Sequence, residues 1–145
     1  MTTPQNDFDL QDFLPYLLSQ ATETVSAEFQ RHYKDRYGML RTEWRVLFHL
    51  GRYGPMTATE IGTRARVHKT KVSRAVAALD AKRFLTRQVV SDDRRQATLQ
   101  LTRAGTAAFD DLYQAARDFD AQLMGQLSPK DGARLKRCLT RLAGF

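Results

Sequence analysis

A change of period in the middle third constrains this chain most. Thr57-Ala58-Thr59-Glu60 has capping-box spacing: the Thr57 hydroxyl accepts from the amide at position 60, while Glu60 reaches back. A short helix is expected to start there. After a turn near Arg66 and Val67, a second is expected from about His68 to Lys82, with Val72, Val76 and Leu79 as its inward stripe. The period then drops to two. Leu85, Arg87 and Val89, then Ala97, Leu99 and Leu101, alternate as strand residues do, around a polar tip of Ser91-Asp92-Asp93-Arg94-Arg95.

Helical patterns flank this unit on both sides. Leu14, Leu17, Leu18, Ala21, Val25 and Phe29 recur at three and four, so Asp12 to Tyr37 reads as a long helix. Asp12 is its expected N-cap, Pro15 fits its first turn and Gly38 breaks it. A helix carrying Glu43, Trp44, Val46, Leu47 and Leu50 follows, ended by the stretch from Gly51 to Pro55. Thr102 is expected to cap a long helix that Gly125 stops, and Ser128-Pro129 to open a last one bearing Leu135, Leu139 and Leu142 on one face. The apolar faces of these outer helices exceed what a small central unit can cover. They are expected to meet a second copy of the chain.

At 145 residues the chain has the length of one domain, 1–145. Its apolar fraction of 42% supports a packed core and argues against disorder. Its longest apolar stretch, about Phe13 to Leu18, is far short of a membrane span, and Met1 to Leu10 lacks a signal-peptide pattern. Cys138 is the lone cysteine, which excludes an internal disulfide and a cysteine-cluster zinc site. A cytoplasmic protein with no membrane partner is expected.

The charge is unevenly placed. Between Ile61 and Arg103 stand eleven Lys and Arg against three Asp, a net +8, so the remainder of the +7 chain sums to −1. Concentration of the whole excess in about a third of the chain suits a polyanion-binding surface, and on charge alone a solvated basic face suits it equally.

Helix, turn, helix, hairpin and basic tip together predict a winged helix-turn-helix: a mainly α fold with a small antiparallel β-hairpin wing. A B-form major groove, about 12 Å wide, admits one helix. Stepping about 100° per residue from Val72, Thr70, Arg74 and Ala77 fall on the opposite side and Ser73 at its edge, where base edges would be read. His68, Lys69 and Lys71 at the helix start suit phosphates, and Arg94 and Arg95 suit an adjacent minor groove. Double-stranded DNA is the expected partner.

Met39 to Gly105 resembles the MarR family of bacterial transcription regulators. The resemblance is carried, in order, by Thr42-Glu43-Trp44-Arg45-Val46-Leu47, Thr57-Ala58-Thr59-Glu60-Ile61, Val72-Ser73-Arg74-Ala75-Val76, Asp92-Asp93-Arg94-Arg95 and Leu101-Thr102-Arg103-Ala104-Gly105. It implies a winged helix-turn-helix lobe at 39–102 and dimerisation helices at 8–37 and 103–145. It further implies a homodimer that binds a pseudo-palindromic operator, more often as repressor than activator. Arg95 aligns with the family's wing arginine and Asp93 with the aspartate that orients it. A small phenolic or aromatic-acid effector is implied in a crevice between lobe and dimerisation helices. Trp44 and Arg45 border that crevice, and Tyr16 and His49 are weaker contacts to it; a tryptophan there also serves as core. Arg66 and Arg83 depart from the family by standing where it often has glycine, either as phosphate contacts or as tolerated strained turns. His68 stands where Ser, Asp or Asn commonly caps.

Other chemistries find little in the sequence. His32, His49 and His68 fall on separate elements with no pair at ligand spacing, so no metal site is expected. Cys138, beside Leu135, Leu139 and Leu142, reads as a small buried hydrophobe. No Gly-rich phosphate loop or G-x-S-x-G elbow is present, and neither an enzyme nor a cofactor is expected. The competing reading is an architectural winged helix that binds DNA without ligand control.

Overall fold

A computed structural model describes residues 7–89 and 97–145. A 3-10 turn at Leu10–Asp12 leads into α1 (Leu14–Tyr37) and α2 (Arg41–Tyr53), followed by β1 (Met56–Thr57), α3 (Ala58–Ala65) and α4 (Lys69–Ala81). β2 (Leu85–Gln88) and β3 (Thr98–Leu101) precede α5 (Arg103–Met124) and α6 (Pro129–Ala143). The three strands form one antiparallel sheet in the order β1-β3-β2, with Leu85 opposite Leu101, Arg87 opposite Leu99, and Met56 also opposite Leu99.

The local signals act mostly as their chemistry requires. Thr57 Oγ1 accepts from Glu60 N at 3.2 Å and Glu60 Oε2 from Thr57 N at 3.1 Å, so the capping box starts α3. Thr102 caps α5 through Gly105 N, and Ser128 caps α6 through Asp131 N with Pro129 in its first turn. Gly38 ends α1 in the left-handed region at φ 62°, which glycine enters without a side-chain clash.

Three expectations are corrected. Asp12 does not cap α1. It closes the preceding 3-10 turn, which Asp9 caps, and Phe13 flanks α1 with no side-chain bond. The stretch from Gly51 to Pro55 does end α2, at Gly54; Gly51 itself lies inside the helix, where a Cβ would stand 2.2 Å from the Phe109 ring, so this glycine serves close packing. The sheet has a third strand, β1, whose two residues are too short to show a period. Cys138 is exposed, because within one chain α6 buries only Gly132, against Met124.

The core gathers Val46, Leu47 and Leu50 of α2, Ile61 of α3, Val72, Val76 and Leu79 of α4, Leu85 and Leu99 of the sheet, and Leu112 of α5. All are nearly removed from water, the main favourable term in folding. α2 therefore packs on α4 and α5, and β2 touches α4. Gly105 lets α5 leave the sheet tightly: a Cβ there would meet the Phe84 carbonyl oxygen, which already accepts from Thr102 N at 3.0 Å.

Candidate nucleic-acid interface

α4 divides by face. Val72, Ala75, Val76 and Leu79 are buried, while His68, Lys69, Thr70, Lys71, Ser73, Arg74 and Ala77 are exposed. Every residue expected to face bases or phosphates from this helix thus stands on its solvent side. Lys69, Lys71 and Arg74 form no ion pair among the described residues. His68 caps α4 despite being an unusual choice: its Nδ1 accepts from Thr70 N at 3.2 Å, so a lone pair there replaces a hydroxyl or carboxylate oxygen.

Both departures from glycine fall on left-handed backbone, Arg66 at φ 55° and Arg83 at φ 62°. Arg83 sits between α4 and β2, and its carbonyl accepts from the Thr102 hydroxyl at 2.7 Å, which holds the strand exits together. Asp93, Arg94 and Arg95 lie outside the described residues. The strands before and after them in the sequence are described, and Arg87 of β2 approaches Asp80 of α4 at 3.9 Å. A cleft of about 700 Å³ separates α3 and α4 from the sheet, with Lys69, Ser73 and Arg87 on its lining.

Of the residues implied for an effector, Trp44, Arg45 and His49 share α2, while Tyr16 stands apart on α1 within one chain. The Trp44 ring stacks on Tyr33 with centroids 6.3 Å apart and meets Phe29 at 5.6 Å and Phe48 at 5.4 Å, so it serves the aromatic seam between α1 and α2. Arg45 is exposed, and His49 Nδ1 lies 2.6 Å from the Arg45 carbonyl. Tyr16 stands thirteen residues before Phe29 on α1, which at 1.5 Å per residue is about 20 Å along the axis.

Comparison with known proteins follows this geometry. Residues 37–96 match the sequence profile of the MarR family. A MarR family transcriptional regulator of Silicibacter pomeroyi is 31% identical, with 94% of this chain and 97% of that one superposed at a TM-score of 0.80. The chain belongs to the MarR family. BpsR of Bordetella bronchiseptica, 19% identical, shares the fold at a TM-score of 0.85 over 97% of this chain and 99% of its own. An uncharacterized HTH-type transcriptional regulator of Bacillus subtilis, YwoH, is 24% identical over 66% of this chain and 69% of its own length. As a MarR protein, this chain is a DNA-binding transcriptional regulator.

Two groups that hold this MarR scaffold were not singled out from sequence. Glu43 is buried, and its carboxylate accepts from Leu40 N at 2.5 Å and from Lys82 Nζ at 3.2 Å, which ties the start of α2 to the end of α4. Tyr37 and Arg36 of α1 both bond to Asp111 of α5. The sequence shows these residues, but pairs 39 and 74 positions apart leave no local pattern. Among the described residues no group of three or more His, Cys, Asp or Glu is placed to hold a metal ion, and no helix is long and apolar enough to cross a membrane.

Proposed function

We propose that this chain is a cytoplasmic repressor that binds a pseudo-palindromic operator as a homodimer and is released by a small aromatic acid. It acts by binding, without catalysis. The observation that carries the DNA reading is the two-faced α4: a buried stripe fixes the helix, and Thr70, Ser73, Arg74 and Ala77 project from its other side. His68, Lys69 and Lys71 hold phosphates, and residues 39–102 form the lobe that enters the groove. Arg95, oriented by Asp93 and assisted by Arg94, serves the wing.

The dimer reading is supported by apolar side chains left in water. Phe8, Leu10, Phe13, Leu14 and Leu17 line one end, and Leu135, Leu139 and Leu142 line α6, all exposed within one chain. Exposed apolar surface of this extent marks an interaction site, and a two-fold partner matches a palindromic operator. Residues 8–37 and 103–145 are then the dimerisation helices. Light scattering should give twice 16.6 kDa; a stable monomer at micromolar concentration would remove the two-lobe reading.

The effector reading is supported by a structural neighbour, BpsR, whose DNA binding is regulated by 6-hydroxynicotinic acid. Binding isotherms decide between regulator and architectural protein. A regulator should prefer its operator over random DNA by about 10³ or more at one salt concentration, and a panel of hydroxylated aromatic acids should reduce that preference. A ratio near one favours the architectural reading.

A further inference from the structure

Arg66 is held in the turn between α3 and α4 at φ 55°, a backbone conformation that glycine enters freely and that side chains rarely adopt. Such strain persists only where the surrounding structure over-determines it. Here the close of α3 holds the backbone, with Arg66 N and Val67 N both donating to the Gly62 carbonyl, while the end of α6 holds the side chain. Arg66 Nη1 donates to the Ala143 carbonyl and Nη2 to the Gly144 carbonyl, the latter at 2.7 Å. The guanidinium carbon lies 4.2 Å from the centroid of the Phe145 ring, within cation–π range.

The chemistry of the α6 terminus explains the fit. Gly144 N bonds to the Arg141 carbonyl and Phe145 N to the Thr140 carbonyl, so the closing turn satisfies two of the last carbonyls and leaves Ala143 and Gly144 to find other donors. A planar, permanently charged fork supplies two donors at once, at the negative end of a helix dipole. At its other end α6 is fixed to α5, with Gly132 under Met124 and Lys136 Nζ 2.8 Å from Asp120. α5 leaves the sheet, α6 returns, and Arg66 closes the circuit onto the turn that starts the recognition helix.

We infer that Arg66 is a positioning residue: it clamps the helix-turn-helix to the end of α6 and so sets the angle at which each α4 meets its half-site. This rests on the homodimeric, operator-binding reading above. With the side chain engaged at α6, its role is geometric, and a phosphate contact is the alternative it excludes.

The test uses the full-length protein and operators with zero, one or two base pairs added between half-sites. Each added pair turns one half-site by about 35° relative to the other. The native protein should lose about tenfold or more in affinity per added pair. Arg66→Gly suits the left-handed turn and removes the clamp; it should fold, bind the native spacing within about threefold, and lose no more than about threefold per added pair. Arg66→Lys keeps the charge without the fork and should fall between. Phe145→Ala should move in the same direction as Arg66→Gly. If Arg66→Gly weakens all spacings equally and lowers the salt slope by about one, Arg66 touches phosphate and the clamp is overturned. If Arg66→Gly stays as strict as the native protein, the clamp alone fails. If the native protein is itself indifferent to spacing, the two-lobe reading fails with it.

Discussion

The Tyr37 hydroxyl donates to Asp111 Oδ2 at 2.6 Å, joining the last turn of α1 to α5. Arg36 donates to both oxygens of the same carboxylate, at 2.9 and 3.0 Å. Burial, and then the bond to Asp111, pushes the Tyr37 phenol up from 10.0 to about 12. The same bond, reinforced by Arg36, holds the Asp111 carboxyl below its usual range. Each group is thereby stabilised in the protonation state that the other needs.

The pH dependence follows from the two directions. Asp111 is depressed, so its contribution is present above the unfolded carboxylate range and is lost as pH falls through the folded value. Tyr37 is raised, so its contribution is complete below pH 10 and is lost between about 10 and 12. Tyr37→Phe should cost about 1 kcal/mol at pH 7 and flatten the alkaline limb of the stability curve. Urea unfolding across pH measures both; a variant with the native alkaline slope refutes the assignment.

The Glu43–Lys82 pair carries an asymmetric expectation. Glu43 is 4% exposed and keeps its bond to Leu40 N when Lys82 is replaced. Lys82→Met leaves a buried carboxylate without its counter-charge and should destabilise by about 3 kcal/mol. Glu43→Gln keeps an oxygen for Leu40 N and strands only the half-buried ammonium, so it should cost less. Equal costs in denaturant titrations would mean that the charge interaction is not what holds these helix ends.

Where a signal is local, the sequence and the structure agree. The Thr57–Glu60 box, the Ser128-Pro129 start and the inward stripe of α4 each depend on residues within one or two turns, and each stands where its spacing places it. The outward face of α4 was legible for the same reason, since one stripe fixes the other by rotation. Asp12 was misread because a 3-10 turn capped by Asp9 precedes α1, and both aspartates have capping chemistry. The packing role of Gly51 left no local signal because its reason, the Phe109 ring, lies 58 positions away. Arg66 could be recognised as a departure, but its partners at 143 to 145 could not be found by any local rule.

Arg74 tests base readout. It projects from the exposed side of α4 one turn after Thr70, where an arginine can give two hydrogen bonds to one guanine. Arg74→Ala should cost about 1–3 kcal/mol and relax preference at one position per half-site. Selection of binding sites from random DNA by native and variant protein checks it. If affinity for operator and random DNA falls by the same factor, Arg74 contacts phosphate.

The wing offers the last test. Gln88 pairs with Thr98, and the acids and arginines at 92 to 95 stand between these two residues in the sequence. A tip meant only to attract phosphate would not carry Asp92 and Asp93 beside Arg94 and Arg95, because like-signed groups oppose the DNA field. On the proposed reading at least one acid orients an arginine: the resemblance, counted back from Leu101-Thr102, implies Arg95 as the inserted side chain and Asp93 as the one that orients it. Arg95→Ala should weaken operator binding more than Arg94→Ala and should chiefly reduce the preference for A·T-rich flanks, where a narrow minor groove concentrates negative potential. Arg94→Ala should instead lower the salt slope by about one with flank preference kept. Asp93→Asn should resemble a weak Arg95→Ala, since a neutral amide still accepts but no longer draws the guanidinium by charge. Isotherms over a salt series, on operators with A·T-rich and G·C-rich flanks, separate the three. Greater damage from Arg94→Ala, or flank preference left intact by both arginine variants, would show that the register of the wing is shifted.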